Sequence, residues 1–324
     1  MTISQFPERP SKVAVYCALV LVAGQLGACE MAGQEPEQYK SSVEGVSRSQ
    51  GRPSLYPKGG KRDSEAILNS HSLPVGRAAA IAAALPTSVD LSAQLPPPGN
   101  QGGEGSCAGF AAAYAKDYDE QVEMRWSLLS TDHQFSPSWL YNQNNGGGDN
   151  GAFMSDVLNT IVNHGADTLS NFLYRDGDVW TQPDNVSLER ASHYKALSWN
   201  SLTVSASSLK SYLAGGNVVI FGFNAFPDLD ALNATTNVIY DSSAGTATQY
   251  HFVAVVGYDD TKAAFKFINS WGSAWGSSGY GWIAYSFITD STLGLTAYLL
   301  NDKANVPGIV EHSTIWFASS RILN

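Results

Sequence analysis

Apolar residues change their period once along this chain, near residue 200. Before that point they recur at helical spacing. From Cys107 a run of Ala, Gly, Phe and Tyr continues to about Arg125, with Phe110, Tyr114 and Tyr118 four apart, which predicts a helix with an inward aromatic stripe. Ser136-Pro137 supplies an N-cap and a proline at the first helical position, starting a helix through Asn142. Another helix is predicted after Ala152-Phe153, running to Asn163 with Gly165 as its C-terminal cap. Beyond residue 200 a short helix over 207–213 ends at Gly215-Gly216. Strands are then predicted at 218–223, 251–258, 265–269, 280–285 and 296–300, all rich in β-branched and aromatic residues. Residues 224–249 read as a long polar excursion. A helical half followed by a sheet half predicts an α+β protein of two packed lobes, with a cleft between them as the natural place for a site.

The two ends depart from this pattern. Arg9 and Lys12 precede an apolar run over 13–24 that is too short to span a bilayer as a helix, and the segment closes Leu26-Gly27-Ala28-Cys29. That ending resembles the lipobox of bacterial lipoproteins. The resemblance implies a signal peptide over 1–28, cleavage before Cys29 and lipidation of that cysteine. An ordinary secretory signal with an incidental cysteine is the alternative, and either exports the protein. Ser, Gly, Gln, Glu, Pro and Lys then dominate to about Ala80, so residues 29–84 read as a flexible tether or a short pro-region. Within them the alanine-rich run 78–84 is a candidate short helix. The globular domain is expected over 85–289. Residues 290–324 are expected to form an extension packing on the β lobe, with 314–317 as an edge strand.

Composition narrows the function. Over 324 residues the net charge is −10, and no basic cluster offsets it, which argues against nucleic acid as a partner. The glycine-rich loop at 144–151 is not followed by the Gly-Lys-Ser/Thr of a phosphate loop. There are 3 cysteines, Cys17, Cys29 and Cys107. After processing, Cys107 has no intrachain partner, and an exported protein that keeps an unpaired thiol exposes it to oxidation unless the thiol has a task.

Cys107 stands where a glycine-rich loop, Asn100-Gln-Gly-Gly-Glu-Gly-Ser106, turns into a helix. First-turn amides and the helix dipole favour a thiolate at that point. Gln101, earlier in the same loop, could point its amide back at the same spot. Of the 6 histidines, His251 differs because it begins an apolar strand that fixes its position. Asn269 ends the next strand, and antiparallel pairing across the 258–264 turn would set it beside His251. An asparagine there can bond one imidazole nitrogen and leave the other facing the thiol. Trp271 could shield that bond from water.

Together these residues resemble the papain-like cysteine peptidases. The matching segments are the Gln101–Cys107 loop, the His251 strand ending Val-Gly-Tyr258, and Asn269-Ser-Trp-Gly with Trp275-Gly and Gly279-Tyr280-Gly after it. They span roughly residues 85–288, in the family's order. His251 follows Cys107 within the roughly 130–150 residues typical of that family, and Asn269 falls a little beyond, as an insertion at 224–249 would explain. The resemblance implies the papain-like fold, with a helical N-terminal lobe and an antiparallel sheet or barrel in the C-terminal lobe. It implies Cys107 as nucleophile, His251 as base and later acid, Asn269 as its orienter, and Gln101 with the Cys107 amide as oxyanion donors. It implies a resting thiolate–imidazolium pair and a glycine wall for substrate backbone near Asp149 and Gly151, with Trp271 also at the substrate cleft.

Four departures from the family are visible. Glu104 replaces the usual disulfide cysteine, so the helical lobe is expected to be held by packing alone. Ala108 replaces the usual tryptophan after the nucleophile. Tyr250 precedes His251 where plant members carry an acid. The long prodomain is absent. The expected activity is peptide-bond hydrolysis through a Cys107 thioester by a monomer needing no cofactor and no metal, acting on peptides or proteins while tethered to a membrane by its lipid, facing the periplasm or cell exterior. The alternatives are a peptide ligase or transferase using the same acyl-enzyme, and a non-catalytic peptide-binding module of the same fold.

Overall fold

The computed structural model describes residues 55–73 and 85–302, apart from 242 and 244. The signal-like segment, Cys29, the alanine run 78–84 and the candidate strand 314–317 lie outside the described residues. In chain order the main elements are β1 (Gly60–Lys61), α1 (Glu65–Ser70), β2 (Ser88–Asp90), α2 (Cys107–Met124), α3 (Pro137–Asn142), β3 (Ala152–Phe153), α4 (Met154–His164) and α5 (Asn185–Ala191). There follow β4 (Ser198–Ser201), α6 (Ala206–Ala214), β5 (Val219–Ala225), β6 (Ile239–Tyr240), β7 (Gln249–Asp259), β8 (Ala264–Ile268), β9 (Tyr280–Ala284) and β10 (Thr296–Asn301).

β7 is the axis of the molecule. The sheet runs β4-β10-β5-β7-β8-β9-β6, with β5 and β8 antiparallel to β7 on either side. Side chains alternate across a strand, and β7 uses both faces. Tyr250, Phe252, Ala254 and Val256 enter the core shared with the helices, whereas Val253 and Val255 enter a second core within the β lobe. A register shift between Val255 and Gly257 then turns Tyr258 into the second core. At Gly257 a Cβ would lie 2.2 Å from the Val89 carbonyl oxygen, so only glycine lets β2 close on the bulge.

The helical lobe is built on α2. Its residues from Cys107 to Glu120 are buried, so this helix is the centre of the lobe rather than a surface helix with one wet face. Lys116 pairs with Glu120 at 2.6 Å and with Asp302, whereas burial drives the Asp117 carboxyl well above the usual range, and Asp117 accepts the Phe135 amide at 2.7 Å. Arg125, at φ 56°, ends the helix in the left-handed conformation, and its amide donates to the Gln121 carbonyl. Pro137 and Gly165 start and end α3 and α4 where the sequence places them.

Two expectations about the ends need correcting. β10, within the span expected as an appended extension, lies inside the sheet, antiparallel to both β4 and β5. Residues 55–73, within the span read as a flexible tether or a short pro-region, are folded onto the domain, which removes only the tether alternative over these residues. Asp63 shows how: its carboxylate accepts the Ser155 amide at 3.1 Å at the start of α4 and the Tyr298 hydroxyl at 2.7 Å from β10. Few apolar residues were needed for this docking, which is why hydrophobic pattern did not reveal it.

Candidate active site

The loop before Cys107 is held by carboxylates. Glu104 accepts the Gly177 amide at 2.6 Å and the Tyr174 hydroxyl at 2.9 Å. Asp176 accepts the Gly103 amide at 2.8 Å. Asp149 Oδ1 accepts the Gly105 amide at 2.8 Å and the Tyr141 hydroxyl at 2.5 Å. The loop is therefore tied to the lobe by hydrogen bonds to carboxylates rather than by packing alone. Burial pushes the Glu104 carboxyl up, while the bonds from Tyr174 and Gly177 pull it down. Asp149, a candidate substrate contact, thus turns its Oδ1 to loop support, and Gly151 lies beside it on the cleft.

Cys107 opens α2 and is fully buried. Burial raises its thiol pKa; backbone hydrogen bonding from Gly59, Phe252 and Ala108 and the charge of Lys58 act in the opposite direction. The Phe252 contact matters for position, because that residue directly follows His251. His251 Nε2 lies 2.9 Å from Asn269 Oδ1. The same oxygen accepts the Ser270 amide at 2.9 Å, which fixes which way the asparagine amide faces. Nε2 must therefore carry the hydrogen, and Nδ1 is the lone-pair nitrogen. Nδ1 is buried with no hydrogen-bond partner among the described residues. Trp271 stacks on the imidazole at 4.8 Å between centroids, and Phe223 meets it edge-on at 6.1 Å.

Gln101 is also fully buried. Its Oε1 accepts the Ser270 hydroxyl at 2.5 Å, so its Nε2 faces the other way, donating to the Glu104 carbonyl at 2.6 Å and the Pro57 carbonyl at 3.3 Å. The structure thus brings Gln101, Cys107, His251 and Asn269 to one cleft. Ala108 is buried within α2 and forms no cleft wall.

Residues 55–61 run across this site as a strap, which pattern reading missed. The Gly59 amide donates to the Cys107 sulfur at 3.4 Å, and the Pro57 carbonyl occupies the Gln101 donor. On one side of the thiol, Gly60 pairs in parallel with Ala152 and antiparallel with Tyr250, and the Ala152 amide donates to the Gly59 carbonyl at 2.9 Å. On the other, Tyr56 stacks on Trp271 at 4.6 Å, and the Lys58 amide donates to Gln249 Oε1 at 3.1 Å. Close approach requires glycine at two points. A Cβ on Gly59 would lie 1.8 Å from the Gly105 carbonyl oxygen, and one on Gly151, at φ 74°, would lie 2.1 Å from that of Gly59. The available signal was the Gly59-Gly60 pair between Pro57 and Lys61, in a stretch with Leu55 and Tyr56.

The strap changes the site's electrostatics. Burial lowers the His251 pKa to about 3, with the Lys58 charge adding to the effect and Asn269 opposing it. Thiol and imidazole are both driven neutral, so the ion pair expected from the resemblance is disfavoured while the strap is in place. The physical reason is desolvation of both charged forms.

Comparison with known proteins now extends this geometry. A family model described as papain family cysteine protease matches residues 85–296. An uncharacterised peptidase C1-like protein of Acanthamoeba polyphaga mimivirus is 25% identical over 220 residues, covering 63% of this chain and 69% of that protein. A cysteine proteinase of Arabidopsis thaliana is 30% identical over 190 residues, covering 56% of this chain but only 38% of its own length. Among solved structures, xylellain, a cysteine protease from Xylella fastidiosa, superimposes with a TM-score of 0.66 at 24% identity over 78% of this chain and 99% of that one. That last likeness concerns the fold.

Proposed function

The chain belongs to the papain family of cysteine proteases, and we propose that it hydrolyses peptide bonds in peptides or proteins through a Cys107 thioester. The observation that carries this reading is the pinned Asn269 amide, which leaves His251 Nδ1 a buried lone-pair nitrogen on the strand whose next residue, Phe252, bonds the Cys107 thiol at a helix N-terminus. Once the strap leaves, His251 takes the thiol proton and Cys107 attacks the substrate carbonyl. The oxyanion is held by Gln101 Nε2, which is already aimed into the cleft. His251 then returns the proton to the leaving amine as the C–N bond breaks. A water, deprotonated by the same ring, opens the thioester and regenerates the thiol.

The strap lies the wrong way round for this reaction. The leaving amine receives its proton from His251, whose ring stacks on Trp271, so the C-terminal half of a substrate belongs on the Trp271 side. The N-terminal half belongs along Gly151 and Ala152. The strap instead places Tyr56 at Trp271 and Gly60 at Ala152, and presents an amide N–H to the sulfur. It blocks the cleft without offering a bond to cut.

Labelling with a thiol-directed epoxysuccinyl inhibitor tests the reading. Wild-type protein is expected to label at Cys107, Cys107→Ser not at all, and His251→Ala about 100-fold or more slowly, the usual scale for loss of a positioned base. Absence of labelling by folded wild-type protein, with and without mild conditions that free the strap, would sink it. The reading includes export, with Cys29 as a lipidated first residue; the support is the Leu26-Gly27-Ala28-Cys29 ending.

A further inference from the structure

Lys58 is the strap residue whose burial has no explanation in blocking the thiol. Its side chain is fully inaccessible, and a lysine is costly to bury unless its ammonium is paired. Here the ammonium lies 2.8 Å from Asp230 Oδ1 and 4.8 Å from the centroid of the Trp271 ring. Asp230 is itself buried, with 6% of its side chain exposed, and its other oxygen accepts the Leu55 amide at 2.7 Å. Burial still pulls the Lys58 pKa below the ordinary lysine value, against the raising effect of Asp230. A docking strand held by backbone pairing alone would have no need for this inserted cation.

The pocket belongs to the wall of the cleft, not to the strap. Asp230 comes from the 224–249 excursion, just after the short turn of helix Pro227–Leu229, and Trp271 comes from the loop after β8. Both remain when residues 55–61 depart, and Lys58 shows that this wall accepts a cation. A carboxylate in that setting favours a replacement cation, and the flat Trp271 face beside it favours the same charge.

The geometry points to Asp230 as the specificity-determining residue of a subsite on the leaving-group side of the scissile bond, taking a lysine or arginine at the first or second residue after the cut. The assignment rests on the peptidase reading for the direction of the substrate, since Trp271 marks the leaving-group side only if His251 protonates the leaving amine. Lys58 occupies the subsite as a stand-in for that substrate side chain. The 224–249 excursion thereby gains a function: it delivers a carboxylate to the Trp271 side of the cleft.

Two measurements on the full chain test this. In Cys107→Ser/Lys58→Ala protein, lysinamide and norleucinamide are titrated by chemical shift, which needs no catalysis. Lysinamide is expected to bind at least about tenfold more tightly, the lower end for a charge-assisted hydrogen bond. Asp230→Asn should erase the difference and Asp230→Glu, which keeps the carboxylate, should retain part of it. Equal binding of the two amides, or a preference that survives Asp230→Asn, overturns the assignment. In Lys58→Ala protein with Cys107 intact, a random peptide mixture is digested and the residues after each cut are sequenced. Lysine and arginine enrichment there supports the subsite, and cutting without it rejects the subsite while leaving the peptidase reading in place. A lysinamide preference in protein that cuts nothing, with and without the mild conditions that free the strap, retains the cation pocket and rejects the peptidase reading.

Discussion

Desolvation of His251 has a consequence for pH. The residue's ordinary pKa of 6.5 is restored on unfolding, while the covered site holds it at about 3. Between those values the unfolded chain binds a proton that the folded site refuses, so this contribution to stability is fully present above about pH 6.5 and is lost as pH falls toward 3. Replacing the ring by an uncharged side chain removes that dependence. His251→Asn should therefore show a flatter unfolding midpoint between pH 7 and 4 than wild type, measured by thermal denaturation at each pH. Parallel profiles for the two proteins would mean that the ring is not held neutral. The candidate set Cys107, His251 and Asn269 was legible as residue types in a recognisable order. Which imidazole nitrogen is free was not, because that depends on the Ser270 amide fixing the Asn269 side chain.

At the level of elements, the strap and the cysteine loop are two backbones in contact, with glycines on both sides. The 1.8 Å overlap that a Gly59 Cβ would make falls on the Gly105 carbonyl, which cannot rotate away as a side-chain tip could. Overpacking of this kind typically costs 1–3 kcal/mol, so Gly59→Ala should open the site more often and speed epoxysuccinyl labelling about tenfold. Labelling no faster than wild type would show that the strap does not limit access to the thiol. Glu104 gives the complementary lesson. Without a disulfide, the loop keeps its shape through amides donated to Glu104, Asp149 and Asp176, partners spread from residue 103 to 177. Local sequence shows the missing cysteine but not the carboxylates that take over its work.

For the whole molecule, the proposal of export and anchoring rests on the first 29 residues, and the test is fractionation. Cys29→Ser is expected to move the protein from the membrane pellet to the soluble fraction without altering Cys107 labelling. An unchanged membrane fraction would rule out a lipid at that residue. Among the described residues no helix is long and apolar enough to cross a membrane, so any attachment through such a helix would have to come from elsewhere in the chain.

The α+β class, the order of helices and strands, and the set Gln101, Cys107, His251 and Asn269 could be read from the chain because each leaves a local trace. Periodicity marks an element by its burial, and a reactive side chain at a loop–helix junction or strand end marks itself by type and order. The sheet position of β10, the strap across the thiol and the Lys58–Asp230 pair leave no such trace. They join segments up to 191 residues apart through backbone hydrogen bonds and one buried ion pair. Glycine, proline and lysine look alike in a tether and in a docked strand. Only folding, which sets Gly59 on Gly105 and Lys58 beside Trp271, distinguishes the two.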